Sequence, residues 1–203
     1  MPLRVAEAPN RVLDEVRSTL NEFAKRGRFR TPALARARAD TLTLAVPHPV
    51  YTLSLQDLVD GRRLRDARLV AWRYLVEADR TPIASAEVVV ESEGKPPRFS
   101  QFNEGPFVQS TAAAIDELQR RSELQEVPYE FRALQIPALY VVALWLADQG
   151  GERDLVRALE PAPEYLETER LYQEGAFLES LREPARTQLA FDSSPRTQGP
   201  TST

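Results

Sequence analysis

The stretch LQIPALYVVALWLADQGG, residues 134–151, is the most apolar part of a chain that is otherwise heavily charged. Taken as one extended strand, residues 134–146 carry apolar or aromatic side chains at every even position, and at every odd position from Leu139 onward. Successive side chains of a strand point to opposite faces of a sheet, so both faces are apolar here. Such a strand is typical of the centre of a sheet that is covered on both sides. The sequence therefore predicts a central strand, followed by a turn at Gly150 and Gly151.

Two other interpretations of this stretch are weaker. It is too short to cross a membrane, and Pro137 interrupts it. A buried helix would also lack polar positions, so periodicity alone does not exclude one. Against a helix stand the β-branched and aromatic residues, which favour strands: Tyr140, Val141, Val142 and Trp145.

The second apolar face of this strand needs a cover. A long helix predicted over residues 106–124 would cover one face, and the N-terminal helix could cover the other, giving a closed monomer. If the N-terminal helix packs elsewhere, Leu139, Val141 and Trp145 would be exposed. An exposed apolar patch usually marks a contact surface, so these three are interface candidates for a protein partner or for a homo-oligomer.

Residues 68–78 and 83–91 predict an antiparallel hairpin with Val76 opposite Ala84. In this register one face is nonpolar or aromatic and the other is mixed, with Arg73 opposite Glu87. A slip of one residue would turn Trp72 and Tyr74 to solvent, so this register is strongly favoured.

The other elements are predicted from caps, prolines and periodicity. A first helix begins with Asn10 as its cap and ends near Arg26, and a short helix begins at Pro32 with Thr31 as its cap. Pro47 and Pro49 should stop a short strand at residue 46. The remaining predictions are a helical turn at 54–61, a strand at 154–159 that pairs with part of 139–147, and a short helix at 176–181.

These elements predict an α+β fold: a curved antiparallel sheet of four or five strands packed on one long helix, with additional N- and C-terminal helices. The layout is comparable to cone-like folds in which a curved sheet grips a helix. Residues 1–183 are predicted to form a single domain. Residues 184–203 are rich in Ser, Thr, Pro and Gln, which predicts a disordered C-terminal tail.

Composition excludes several classes of function. The chain has 203 residues, no cysteine and a net charge of −4, so disulfides, thiol nucleophiles and thiolate metal sites are excluded. The N-terminal residues lack the apolar segment of a signal peptide, and a cytoplasmic location with no membrane contact is expected. Nucleic acid is an unlikely partner for an acidic chain; the one weak basic patch is Lys25, Arg26, Arg28 and Arg30. We favour the interpretation of that patch as the positive residues that stabilise a helix C-terminus.

No catalytic, cofactor or metal motif is recognisable. His48 is the single histidine, and no G-x-S-x-G turn or other nucleophile motif accompanies it, so we interpret it as a loop histidine. One histidine without cysteine cannot form the usual zinc sites, and the glycine-rich turns that bind phosphates are missing. The sequence gives no catalytic residue, no metal ligand and no cofactor.

The sequence therefore favours a non-enzymatic cytoplasmic protein-interaction module, an adaptor or a subunit of a larger assembly. The alternative is a small-molecule-binding or enzymatic cone-like α+β domain with an aromatic-lined pocket between helix and sheet. Its pocket candidates are Trp72, Tyr74 and Tyr140.

Overall fold

The fold is an α+β architecture built on one large mixed sheet. The computed structural model describes residues 4–90, 95–124 and 126–193. Within them the helices are α1 (Asn10–Arg26), α2 (Pro32–Arg36), α3 (Leu55–Val59), α4 (Pro106–Arg120) and α5 (Glu174–Ser193). The strands are β1 (Arg4–Val5), β2 (Leu42–Thr52), β3 (Arg68–Ala78), β4 (Thr81–Val89), β5 (Arg98–Asn103), β6 (Glu130–Ile136), β7 (Val141–Ala147), β8 (Leu155–Ala158) and β9 (Tyr172–Gln173).

The predicted sheet of four or five antiparallel strands on one long helix is wrong. In the described residues a nine-stranded mixed sheet runs in the order β5-β4-β3-β2-β6-β7-β8-β9, with β1 paired to β6. Strand β6 is parallel to both β1 and β2, and every other pair is antiparallel. The two parallel pairs join segments that are far apart in sequence. They unite what sequence patterns suggest as two separate hairpins into a single sheet.

Strand β2 continues through the two prolines that were expected to end it. A register shift between Ala45 and His48 relieves the pairing with β3, and Val46 there has a φ of 46°. On the other side β2 pairs with β6 only from Val50 onward. Proline is tolerated at bulges and where no ladder bond is needed. The expected strand end at residue 46 is therefore wrong: Pro47 lies in the interrupted part of the ladder, and Pro49 pairs with Trp72 of β3 but precedes the first pair with β6.

The hairpin of β3 and β4 has the predicted register. Val76 pairs with Ala84, and Arg73 pairs with Glu87. Trp72 belongs to the apolar face, which packs on buried residues of α1: Val12, Val16 and Leu20. The N-terminal helix therefore covers this hairpin instead of the strand at 141–147.

The opening stretch is two strands and not one. Pro137 begins a single 3-10 turn that separates β6 from β7, and the two strands pair along their whole lengths. The prediction of one extended strand is wrong there. Strand β7 nevertheless lies inside the sheet between β6 and β8, as predicted, and β8 pairs with it.

Both faces of β7 are covered. Leu144 and Leu146 pack on α4, and we call this side of the sheet the α4 face. Ala143 and Trp145 pack on α5 together with α3, and we call the opposite side the α5 face. The second cover is thus the C-terminal helix, which is much longer than the short helix expected from sequence.

Helix α5 extends beyond the predicted domain boundary. It passes through Pro184 and ends at Ser193, so the first ten residues of the expected disordered tail, 184–193, are helical. Residues 194–203 lie outside the described residues. At the start of α5, Glu174 is buried and accepts hydrogen bonds from the Arg63 guanidinium and the Leu64 backbone N–H. None of the described helices is long and apolar enough to cross a membrane.

Candidate functional site

An open apolar groove lies at the end of the β6–β7 hairpin. Its volume is about 1100 Å³, and it is formed by the hairpin turn, by the loop around Pro161 and by the middle of α5 around Pro184. Its wall combines prolines with two exposed aromatic side chains, Tyr140 and Tyr165. Exposed apolar surface of this kind usually marks a contact site.

Tyr140 is the most exposed large hydrophobic residue of the described chain, at 84%. It follows the 3-10 turn and has a φ of 55°, in the left-handed region. For a residue other than Gly, Asn or Asp this conformation costs on the order of 1–2 kcal/mol of conformational free energy, because Cβ approaches the following carbonyl oxygen. The fold therefore holds an aromatic side chain toward solvent in a conformation that glycine would adopt more easily.

The polar groups of the groove are few. Glu183 on α5 is the charged side chain among the described residues that line it, and the loop beside it carries Glu160 and Glu164. The Gln135 side chain has no hydrogen-bond partner within the described part of the chain. The groove thus has three carboxylates at its rim, of which Glu183 pairs with Arg186 over 3.4 Å, and a free amide on an apolar wall.

The three interface candidates from the sequence are largely buried. Leu139 and Val141 are 8% and 1% exposed, and both lie in the wall of the groove. Trp145 is 2% exposed and packs edge-on against Tyr51. Its indole N–H donates to Asp154 over 2.9 Å. Trp145 is therefore a core residue, while its two neighbours lie beneath the surface that Tyr140 presents.

The structure does not bring the three pocket candidates together. Trp72 and Tyr74 lie under α1, where burial raises the pKa of the Tyr74 hydroxyl to about 12. Tyr140 lies in the groove, whose other wall is α5. The aromatic-lined pocket between helix and sheet expected from these residues is not formed by them.

A smaller cavity with polar walls lies between α4 and the sheet. Its volume is about 270 Å³, and its floor includes Arg73 and Ser85 of the β3–β4 hairpin. Thr111 of α4 and Asn103 at the end of β5 line its sides. Sequence patterning identified this hairpin face as mixed, but gave no sign that a helix lies over it.

Arg73 and Glu87 form an ion pair beside this cavity. The two side chains are 10% and 13% exposed, and Arg73 Nη2 lies 2.6 Å from Glu87 Oε2. Arg73 Nε donates to the same oxygen over 3.2 Å. The predicted cross-strand pair is present, but α4 shields it from most solvent.

His48 is a buried strand residue and not a loop residue. Its ring packs on Phe131 with centroids 4.8 Å apart, and Nδ1–H donates to the Val46 carbonyl over 2.7 Å. Nε2 is buried with no partner in the described chain. Burial, with a smaller contribution from the neighbouring Arg73 charge, lowers the pKa of His48 to about 3. The ring is neutral at ordinary pH and lies in the interior.

The weak basic patch lies where α1 ends. Arg26 and Arg28 both approach Glu22, at 2.9 and 3.8 Å, and both are more than half exposed. Arg30 lies at a shallow depression formed by four clustered phenylalanines. The pairing with Glu22 neutralises part of the patch, which agrees with its interpretation as a helix C-terminus.

Among the residues that the structure describes, no group of three or more His, Asp or Glu side chains could hold a metal ion. Comparison of the chain with protein-family models, with curated proteins and with solved structures found no match.

Proposed function

We propose that this protein is a non-enzymatic interaction module, an adaptor or a subunit of a larger assembly, whose groove binds an extended proline-containing segment of a partner protein. The observation that supports this most strongly is Tyr140, which is 84% exposed at a φ of 55° beside an apolar groove. Tyrosine is enriched among the residues that dominate binding energy at interfaces. Strained backbone at a surface position is also more frequent at functional sites.

The groove chemistry fits a polyproline II segment. Such segments bind in grooves lined by aromatic side chains, since their conformation is already formed before binding. Tyr140 and Tyr165 supply the aromatic faces, and the prolines of the wall keep it rigid. A polyproline II segment makes no internal hydrogen bonds, so its backbone carbonyls are available as acceptors. The free amide of Gln135 can donate to one of them.

The rim selects the charge of the segment. Glu183 lines the groove, and Glu160 and Glu164 lie on the adjoining loop. A segment with an arginine beside its prolines would therefore be attracted, and an acidic one repelled. The cytoplasmic location expected from the sequence is part of this proposal.

The proposal is tested by fluorescence anisotropy with a labelled proline-rich peptide that carries an arginine at each end. We expect binding that disappears when the prolines of the peptide are replaced by alanine. Tyr140→Asn should weaken binding about tenfold or more, since removal of a dominant interface tyrosine costs about 2 kcal/mol.

Phe191→Asn is the matched control. Phe191 is 75% exposed on α5 but does not line the groove, so this variant should bind like the wild type. Equal affinity for both peptides, or unchanged affinity in Tyr140→Asn, would contradict the proposal. Self-association that is lost only in Tyr140→Asn would instead identify a second copy of the chain as the occupant.

A further inference from the structure

The cavity between α4 and the sheet contains polar side chains without partners. Ser85 is 5% exposed and lines the cavity, yet its hydroxyl makes no hydrogen bond within the described part of the chain. The amides of Gln101, Asn103 and Gln135 line the same space and also have no partner there. The Ser85 hydroxyl and these amides are therefore available to form hydrogen bonds with a molecule bound in the cavity.

The cavity wall combines uncharged donors and acceptors with the guanidinium of Arg73, whose charge is paired with Glu87. Arg73 donates from Nε and Nη2 to one oxygen of Glu87, which leaves its other guanidinium N–H groups unused. Each amide adds one acceptor and two donors. Glu104 at the cavity edge is occupied, because its carboxylate accepts the backbone N–H groups of Ala33 and Leu34. Its negative charge disfavours an anionic ligand.

The size of the cavity limits the ligand. At about 30 Å³ per water molecule in the liquid, a volume of about 270 Å³ corresponds to roughly nine waters. That space holds a single six-membered ring with its substituents. Leu75, Phe107 and Val142 form the apolar part of the wall, against which the carbon face of such a ring can pack.

We propose that this cavity binds a small neutral molecule rich in hydroxyl groups, such as a monosaccharide or a cyclic polyol. A hydroxyl both donates and accepts a hydrogen bond, so it matches amides, Ser85 and the Arg73–Glu87 pair without requiring a net charge. The cavity shares a wall with the groove beside Tyr140, but its assignment rests on Ser85 and Arg73, which line the cavity and not the groove.

The test is ligand-observed NMR by saturation transfer, followed by titration, on the full chain. The neutral probes are D-glucose, D-xylose and myo-inositol; the anionic probe is D-gluconate, and tetrahydropyran is a ring without hydroxyls. We expect at least one neutral probe to bind more tightly than gluconate and tetrahydropyran. Ser85→Ala removes one hydroxyl and should raise the Kd roughly threefold to tenfold, the range for one lost hydrogen bond.

Gln119→Ala, which removes an exposed amide from α4 outside the cavity, is the control and should leave the Kd unchanged. If Ser85→Ala does not fold, Asn103→Leu replaces it, with loss of binding expected. Failure of all three neutral probes to bind would overturn the proposal. So would preferential binding of gluconate or tetrahydropyran, or equal affinity in the wild type and in the cavity variant.

Discussion

Tyr140 combines backbone strain with the loss of apolar burial. Its φ of 55° is costly for a residue with a large side chain, and its ring is 84% exposed. Asparagine tolerates the left-handed region because its short polar side chain bonds locally. Asparagine or glycine would therefore be more stable than tyrosine at this position.

Tyr140→Asn should accordingly stabilise the protein while it weakens peptide binding. We expect the free energy of unfolding to rise by about 0.5–1 kcal/mol, since the strain falls and little packing is lost. Urea unfolding followed by circular dichroism measures this change. A loss of stability of similar size would show that the ring contributes to packing and would remove the strain argument.

His48 makes stability depend on pH in one direction. Its pKa is 6.5 in an unfolded chain and about 3 in the folded protein, where burial and the Arg73 charge disfavour the protonated ring. The folded state therefore binds no proton at His48 until the pH is near 3, whereas the unfolded state binds one below about pH 6.5. The contribution of neutral His48 to the free energy of unfolding is complete above about pH 6.5 and is lost as the pH falls toward 3.

A comparison of the wild type with His48→Gln isolates this effect from the titration of carboxylates. Between about pH 6 and pH 4 the wild type should lose about 1.4 kcal/mol more per pH unit than the variant. Denaturant unfolding at a series of pH values gives both slopes. Parallel slopes would contradict the burial of a neutral ring.

The elements that sequence predicted well are those fixed by local alternation. The β3–β4 register follows from the aromatic face that includes Trp72, since a slip by one residue would expose that face. The continuation of β2 through Pro47 could not be foreseen in this way. The short strand β1 pairs with the part of β6 that β2 does not reach. This arrangement of β1, β2 and β6 joins segments that are distant in sequence, so local patterns do not reveal it.

The predicted C-terminal helix is too short because the composition of α5 suggests a tail, whereas its packing keeps it helical. Its second half contains Pro184 and polar residues, which resemble a tail. Ala185 is nevertheless fully buried and Leu189 packs on the core around Trp145. Tertiary contact thus overrides a low intrinsic helix propensity.

Truncation tests the position of the true boundary. A chain that ends at Glu183 should lose about 2 kcal/mol of stability, because the core beneath residues 184–193 loses its cover. It should also lose the groove wall and the binding of the proline peptide. Thermal unfolding measures the first effect and anisotropy the second.

A chain that ends at Ser193 is the matched control, since it retains all of α5. It should melt at the temperature of the full chain. Equal melting temperatures for the chains that end at 183 and 193 would show that the second half of α5 contributes nothing to the core.

At the scale of the whole molecule, the way in which the helices pack on the sheet creates both candidate sites. Helix α5 leaves an open apolar groove beside the β6–β7 turn, whereas α4 leaves a space with several polar side chains above the β3–β4 hairpin. The groove and the cavity share the wall formed by Phe107, Gln135 and Val142. The two sites are therefore neighbours in one region of the fold.

Sequence could indicate only parts of these sites. It identified 134–146 as apolar on both sides, but it could not place Tyr140 in a turn, because Pro137 interrupts a stretch whose apolar character is continuous. The cavity residues come from β3, β4, β5, β6, β7 and α4, and only the tertiary fold unites them. The prolines and the tyrosine at 161–165 also line the groove, but nothing in their local sequence pattern places them beside the β6–β7 turn.

The most direct test of the proposed docking function is an NMR titration of the isotopically labelled full chain with the arginine-flanked proline peptide. The proposal predicts that amide shifts change at residues 137–142, 161–165 and 183–188, which converge on the groove. The same titration of Tyr140→Asn should need at least about tenfold more peptide to reach equal shift changes. Shifts that cluster at the end of α1 or along β5, or that are equally large in Tyr140→Asn at equal peptide concentration, would contradict the assignment of the groove as the docking surface.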